Sequence, residues 1–140
     1  MTSVYLDTSA LIRWVLQSPN YYPDFGNWDV AVTSTLLRAE FRRTMDRLLK
    51  RSVLTEVQVE KCYEYLEDIS PYINWIKLDE RILEKAGDTY NYPIGTLDAI
   101  HLVSSYLYKE EFEVGKYYLL THDEELTKAA NSLGIQTKGI

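Results

Sequence analysis

Short apolar segments alternate with amphipathic helical segments from one end of the chain to the other. Residues 4–6 form the first apolar segment, and the residues after it recur at helical spacing; the segment 30–34 is followed by a longer stretch of the same kind. Further strand candidates lie at 73–78, at 117–121 and, as an edge strand, within 135–140. Strands separated by helices pair in parallel through right-handed crossovers. The pattern therefore predicts an α/β fold, a three-layer α/β/α sandwich with a mainly parallel central sheet of four or five strands.

Length and composition indicate one globular domain, residues 1–140. Hydrophobic residues make up 46% of the chain and charged residues 26%, as is typical of a soluble globular protein. The single Cys62 can form neither an internal disulfide nor a cysteine metal site, which favours a reducing compartment. We find no apolar stretch of membrane-spanning length and no signal-peptide pattern, so we expect a cytoplasmic protein without a membrane partner.

Polar residues mark where several of the helices should begin. Thr55 and Gln58 fit the capping-box pattern, in which the side chains of the first and fourth residues bond each other's backbone amides. Thr121 and Glu124 fit the same pattern after the fourth strand. Asp79 is a plausible N-cap for the helix that follows the third strand.

Four acidic residues lie near the carboxyl ends of the predicted strands, where parallel sheets bind their ligands. Asp7 directly follows the first strand, and Asp123 closely follows the fourth. Glu40 lies about two turns into the helix after the second strand, and Asp98 lies in the first turn of a later helix. Each has a structural explanation on its own, because carboxylates favour helix N-termini and pair with arginines one turn away.

The four acids have a different meaning when they are taken together. Carboxylates that share a partly buried pocket repel one another and raise each other's pKa, unless a cation compensates. Carboxylate oxygens are the ligands of hard divalent cations, and no histidine and cysteine set with zinc spacing is present. The residue types therefore suit Mg²⁺ or Mn²⁺.

Four motifs then carry a family resemblance: VYLDTSALI, LLRAEFRR, GTLDAIHL and LLTHDEEL, in this order. With them, essentially the whole chain resembles the PIN-domain family and, within it, the small VapC-like ribonuclease toxins. The resemblance implies that Asp7, Glu40, Asp98 and Asp123 form an acidic site that holds one or two Mg²⁺ or Mn²⁺ ions. It gives supporting roles to three hydroxyl residues: Ser9, Thr8 and Thr121.

The same resemblance implies an activity and partners. The protein would be a metal-dependent endoribonuclease that hydrolyses RNA phosphodiester bonds with a metal-activated water, as the toxin of a type II toxin–antitoxin pair. It would form a homodimer and be silenced by a cognate antitoxin protein. His101 lies one turn beyond Asp98 and could orient it or contact RNA, but a structural role is commoner for such a residue, and we leave it out of the catalytic set.

One basic segment could contact the RNA, although the net charge of −6 alone argues against a nucleic-acid partner. Residues 38–51 contain six of the chain's 15 lysine and arginine residues. A local basic stripe on an acidic protein can bind phosphates, while the structural explanation is a solvated helix face. The candidate RNA-binding residues are Arg38, Arg42, Arg43 and Arg47.

Other functions compete with the toxin hypothesis. A phosphatase of the haloacid-dehalogenase type would use Asp7 as its nucleophile, but it needs a second aspartate where Ser9 stands. Nucleotide-binding α/β proteins need a glycine-rich phosphate loop, which the sequence lacks. A PIN-like module that binds RNA or protein without cutting it, and a solitary RNA-processing nuclease without an antitoxin, stay open as alternatives.

Overall fold

A computed structural model describes residues 1–112 and 115–140 and shows the predicted alternation of strands and helices. A short 3₁₀ turn, Ser70–Tyr72, precedes the third strand. The main elements, in chain order, are β1 (Thr2–Leu6), α1 (Thr8–Val15), β2 (Val30–Ser34), α2 (Leu36–Lys50), α3 (Glu56–Ile69), β3 (Ile73–Ile76), α4 (Glu80–Ala86), α5 (Thr96–Phe112), β4 (Lys116–Leu120), α6 (Glu124–Ser132) and β5 (Gln136–Lys138).

The five strands form one parallel sheet in the order β3-β2-β1-β4-β5. β1 is central, and its Val4 lies opposite Ala31 of β2 and Tyr118 of β4. The predicted α/β class and parallel sheet are confirmed, with the strand number at the upper end of the predicted range. As predicted, the final strand pairs at the edge, where Leu119 lies opposite Thr137.

Side chains on both faces of the sheet are buried, which makes the fold a three-layer sandwich. Tyr5 points to one face, where it belongs to a cluster with Leu102 of α5 and Leu126 of α6. Val4 and Leu6 point to the opposite face. Because consecutive side chains of a strand alternate between faces, a central strand that is covered on both sides reads as an unbroken apolar run.

Two of the three predicted helix caps are confirmed. The Gln58 amide donates to the Thr55 hydroxyl at 3.2 Å, and the Thr55 amide donates to the Gln58 side chain at 2.8 Å, which completes the capping box. The Asp79 carboxylate accepts a hydrogen bond from the amide of Ile82 at 2.9 Å.

The predicted capping box at Thr121 and Glu124 is wrong, because α6 begins two residues later than that pattern requires. Asp123 is the N-cap, and its Oδ1 accepts a hydrogen bond from the Leu126 amide at 2.7 Å. The buried Thr121 hydroxyl instead donates to the carboxylate of Asp7 at 2.7 Å. A tertiary contact with the neighbouring strand end has taken the place of the local cap.

The sheet order decides which residues meet at the candidate site. β2, β1 and β4 are adjacent, so the segments that leave their carboxyl ends start side by side. Asp7 and Thr121 are the first residues after β1 and β4, and α2 follows β2 by one residue.

Within 1–112 and 115–140, no helix is long and apolar enough to cross a membrane.

Candidate active site

The structure brings all four predicted acids to one cleft of about 350 Å³ at the carboxyl edge of the sheet. Asp7 and Asp123 reach it from the ends of β1 and β4, Glu40 from α2 and Asp98 from the first turn of α5. Four segments that are far apart in the sequence thus place carboxylates around one space. Whether these groups hold a metal stays a prediction.

Asp7 is held by hydroxyl groups and not by the helix that it precedes. It occupies the N-cap position of α1, but its side chain makes no capping hydrogen bond. Its Oδ2 accepts hydrogen bonds from the hydroxyls of Ser9 and Thr121, both at 2.7 Å. The residue is only 4% exposed, and among the described residues no group donates a hydrogen bond to its Oδ1. One oxygen is therefore anchored while the other stays available to the cleft.

Both hydroxyls that hold Asp7 are themselves fixed by the backbone after β4. The amide of His122 donates to Ser9 Oγ at 3.1 Å, and the amide of Asp123 donates to Thr121 Oγ1 at 3.1 Å. Ser9 and Thr121 therefore connect the end of β1 to the turn before α6. The supporting role that we predicted for them requires contacts of this kind.

Glu40 is bound by a hydroxyl and an imidazole. Thr8, the third predicted supporting residue, donates to Glu40 Oε1 at 2.7 Å, and His101 Nε2 lies 2.5 Å from the same oxygen. The alternative, in which Glu40 pairs with an arginine of its own helix, is not what the structure shows. Arg43 instead pairs with Asp46 at 3.2 Å.

His101 is the residue that sequence reasoning left out. It is completely buried, its Nδ1 lies 2.7 Å from the hydroxyl of Tyr5, and its Nε2 lies 3.9 Å from Asp7 Oδ1. It does not reach solvent, so it cannot contact RNA in this conformation. Its position one turn after Asp98 was a signal, but that spacing does not reveal that the ring points at Glu40 on another helix.

Burial, hydrogen bonds and neighbouring charges set the protonation of His101 and Glu40. Burial lowers the pKa of His101, but the hydrogen bond to Glu40 and the carboxylates of Asp7, Glu40 and Asp98 outweigh burial and raise it. Burial likewise raises the pKa of Glu40, and the bonds and charge of His101 together with the Thr8 bond lower it overall. Both shifts favour an ion pair, with the imidazolium donating to the carboxylate.

Asp98 has no such compensation. Within the described residues its carboxylate makes no hydrogen bond and no ion pair. Burial first, and then the negative charges of Asp7, Asp123 and Glu40, raise its pKa from the ordinary value of 3.8 to about 6, against the opposing charge of His101. The cleft therefore disfavours the ionised form of Asp98.

The donor chemistry of the cleft fits a hard divalent cation, since all four predicted ligands are carboxylates and they repel one another. Asp123 uses Oδ1 to cap α6, while its Oδ2 accepts no hydrogen bond among the described residues. No three histidine, cysteine, aspartate or glutamate side chains in that part of the chain are already arranged so as to hold a metal ion. The residue types therefore fit a divalent cation, while the four carboxylates stand around an open cleft.

The predicted basic stripe divides between two sides of α2. Arg43 and Arg47 line a groove of about 300 Å³ that also includes Glu40, Thr44 and the exposed Leu97. Glu40 and Thr44 belong to the acidic cleft as well, so this groove is continuous with the cleft.

Arg38 and Arg42 lie on another side of the helix. They line a groove between α2 and α3 that contains none of the four acids. Arg38 donates to the hydroxyl of Ser70 at 2.9 Å, and its guanidinium carbon lies 3.9 Å from the ring centre of Trp75. Part of the stripe thus packs against the protein itself.

The motifs implied a parallel α/β/α sandwich of the PIN-domain family, and comparison with known proteins agrees with that fold and family. The family model of the PIN domain matches residues 4–132, and the chain belongs to this family. It is similar to ribonuclease VapC46 of Mycobacterium tuberculosis, with 24% identity over 137 residues that cover 96% of this chain and 95% of the relative. In fold it is similar to a crystal structure of VapBC2 from Rickettsia felis bound to a DNA fragment from their promoter, with a TM-score of 0.62, 13% identity and 98% of both chains covered.

Replacing Asp98 with Asn is expected to raise the melting temperature at about pH 7.5 in the presence of a chelator. The folded-state pKa of about 6 exceeds the ordinary 3.8, so the ionised group destabilises the fold. The folded chain holds the proton more strongly, and stability is lost as the pH rises between these two values. The gain in melting temperature should therefore vanish well below pH 3.8, where Asp98 is protonated in both the folded and the unfolded state.

Asp68, an exposed acid on α3, provides the matched control, and Asp68→Asn should leave the melting temperature unchanged at both pH values. A lower melting temperature for Asp98→Asn at about pH 7.5 would show that Asp98 is not under electrostatic strain.

Proposed function

We propose that this protein is a metal-dependent endoribonuclease and the toxin of a type II toxin–antitoxin pair. The observation that carries the proposal is the single cleft lined by Asp7, Glu40, Asp98 and Asp123, in which hydroxyl and imidazole groups orient the first two. Membership of the PIN domain family and similarity along the whole chain to a protein named as a ribonuclease support it.

Asp7, Asp98, Asp123 and Glu40 would hold one or two Mg²⁺ or Mn²⁺ ions, directly or through water. Such an ion, when bound, supplies an acidified water and neutralises the charge that develops on the leaving oxygen of a phosphodiester. The uncompensated charge on Asp98 supports this assignment, because a cation in the cleft would relieve it.

The remaining residues of the site would keep these carboxylates in position. Ser9 and Thr121 fix one oxygen of Asp7, and Thr8 and His101 fix one oxygen of Glu40. Ligands that are already oriented do not have to reorganise during the reaction, which is how a rigid site contributes to rate.

Two open alternatives predict different behaviour. A binding module without nuclease activity would bind RNA or protein and never cut, and a solitary processing nuclease would cut without an antitoxin. The phosphatase hypothesis is disfavoured by Ser9, which stands where that mechanism needs a second aspartate and whose hydroxyl donates to Asp7.

Cleavage of single-stranded RNA by the purified protein should require Mg²⁺ or Mn²⁺ and should stop in a chelator. Asp7→Asn and Asp98→Asn are expected to reduce cleavage to background while the circular dichroism spectrum stays unchanged, because each substitution removes a carboxylate ligand. Ser9→Ala should reduce the rate by about ten- to a hundredfold, the usual effect of removing a group that orients a ligand.

Asp68→Asn again serves as the control and should cleave like the wild type. Retained cleavage in both Asp7→Asn and Asp98→Asn would refute the proposed mechanism. A wild-type protein that binds RNA but cuts it with neither metal would instead support the non-cleaving alternative.

We propose that Arg43 and Arg47 guide the RNA backbone, which is supported by their groove sharing Glu40 and Thr44 with the acidic cleft. Changing both to Gln should raise KM about tenfold at low salt and change kcat little, because phosphate contacts contribute to binding before the reaction.

Arg38 and Arg42 form a matched pair on the same helix, and changing both to Gln should leave KM near the wild-type value. Steady-state cleavage of one RNA by both double variants provides the comparison. A larger increase in KM for the Arg38 and Arg42 pair would reverse the assignment of the two grooves.

The proposed partners are RNA, a cognate antitoxin and a second copy of the chain, in the cytoplasm. A toxin gene should have a small adjacent reading frame, and the product of that frame should relieve the growth arrest that the toxin causes and should inhibit cleavage in vitro.

Light scattering of the purified chain should give the mass of a dimer. Harmless expression without an adjacent frame would favour a solitary nuclease, and a monomeric mass would contradict the dimer.

A further inference from the structure

Arg13 lines the acidic cleft and, in the described part of the chain, is the one lysine or arginine that does so. It lies four residues after Ser9 on α1, so the two side chains share a helix face. The Ser9 hydroxyl accepts a hydrogen bond from the amide of His122 at 3.1 Å, and this face therefore turns towards the end of β4. Arg13 accordingly lies on the Asp123 side of the cleft.

The neighbouring face of α1 turns the other way. Thr8 donates to Glu40 at 2.7 Å, and Ile12 lies four residues after Thr8. The pKa of His122 agrees with the placement of Arg13 near the end of β4. Burial lowers the pKa of that imidazole and the positive charge of Arg13 lowers it further, against the effect of its hydrogen bond to Gly139.

The fold makes little use of the Arg13 guanidinium. Its one hydrogen bond to the described residues runs from Nη1 to the carbonyl of Asn20 at 3.4 Å, and it forms no ion pair with the four carboxylates that share the cleft. A cation in the last turn of a helix also interacts favourably with the helix dipole. That interaction does not require the side chain to line the cleft.

An acidic cleft that receives RNA has an electrostatic problem, because its carboxylates repel the phosphates of the substrate. A guanidinium group relieves this repulsion well, since its planar fork of N–H donors matches two phosphate oxygens. Arg43 and Arg47 supply positive charge on the Glu40 side, and Arg13 supplies it on the opposite side.

We propose that Arg13 binds an RNA phosphate that neighbours the scissile one, on the Asp123 side of the cleft. The inference rests on the proposed ribonuclease function and deepens it. The RNA strand then runs from the groove of Arg43 and Arg47, over the four carboxylates, to Arg13. A contact with the phosphate backbone carries no sequence information, so Arg13 strengthens the binding of every RNA sequence to a similar degree.

Binding is measured with the Asp98→Asn protein in a chelator, which separates binding from cleavage. The probe is a fluorescein-labelled pool of short random-sequence single-stranded RNA, followed by fluorescence anisotropy over a series of salt concentrations. Adding Arg13→Gln should weaken binding about tenfold at low salt. It should also reduce the slope of log Kd against log salt by about 0.7, the value for one lost phosphate contact on a single strand.

Arg13→Lys keeps the charge without the planar fork, so it should keep the salt slope and lose less affinity than Arg13→Gln. Arg81→Gln, which removes one charge from α4 outside both grooves, should bind like the parent. A purely structural role for Arg13 would lower the melting temperature and leave the salt slope unchanged.

Three results overturn the inference, and they are distinguishable. Arg13→Gln that binds with the affinity and salt slope of its parent refutes the Arg13 contact alone. If Arg13→Gln fails to fold, Arg13→Lys decides, and an Arg13→Lys variant that loses no more affinity than Arg81→Gln does would refute the contact. If the Asp98→Asn parent binds no RNA and the wild-type protein cleaves none, the proposed function is refuted together with this inference.

Discussion

Mutual repulsion among carboxylates at the end of the central strand is the constraint around which this site is organised. β1 is covered on both faces and delivers Asp7 into a place where the residue is 4% exposed. A buried carboxylate is unfavourable unless it is hydrogen-bonded or paired. Hydroxyls from α1 and from the end of β4 meet that requirement for one oxygen, and in doing so they connect two neighbouring strand ends.

The other acids of the cleft are compensated to different degrees. Glu40 forms an ion pair with the buried His101, whose second nitrogen lies against Tyr5. Removing one partner of such a pair destabilises the folded protein, because the remaining polar group then lacks the partner that compensates for its burial. Asp98 has no partner among the described residues, and its pKa rises to about 6. The cleft is thus rigid around two acids and electrostatically unsatisfied at a third.

The sequence was sufficient for features that depend on local chemistry and on strand order. Alternating apolar segments predicted the parallel sheet, and the rule that ligands bind beyond its carboxyl edge selected Asp7, Glu40, Asp98 and Asp123, which do line one cleft. The capping box at Thr55 was readable because all of its atoms lie within four residues.

Features that depend on the partner across the fold were not readable. Thr121 matches a cap in the sequence but donates to Asp7, which lies 114 positions away. His101 was left out because its contact with Glu40 joins two helices whose relative rotation the sequence does not state. For the same reason the basic stripe looked uniform, although two of its four candidate residues, Arg43 and Arg47, share a groove with Glu40 and the other two line a groove without any of the four acids.

A net negative charge is compatible with the proposed action on RNA, because the local distribution of charge around the cleft matters more than the net charge. The net charge of −6 describes the field at a distance, whereas a substrate in a cleft responds to groups within about one Debye length, roughly 8–10 Å. Carboxylates at the centre favour a cation, and guanidinium groups on either side favour a phosphate chain. In the proposed function, excess negative charge elsewhere would weaken non-specific attraction, so productive contacts with RNA would be concentrated where arginines border the cleft.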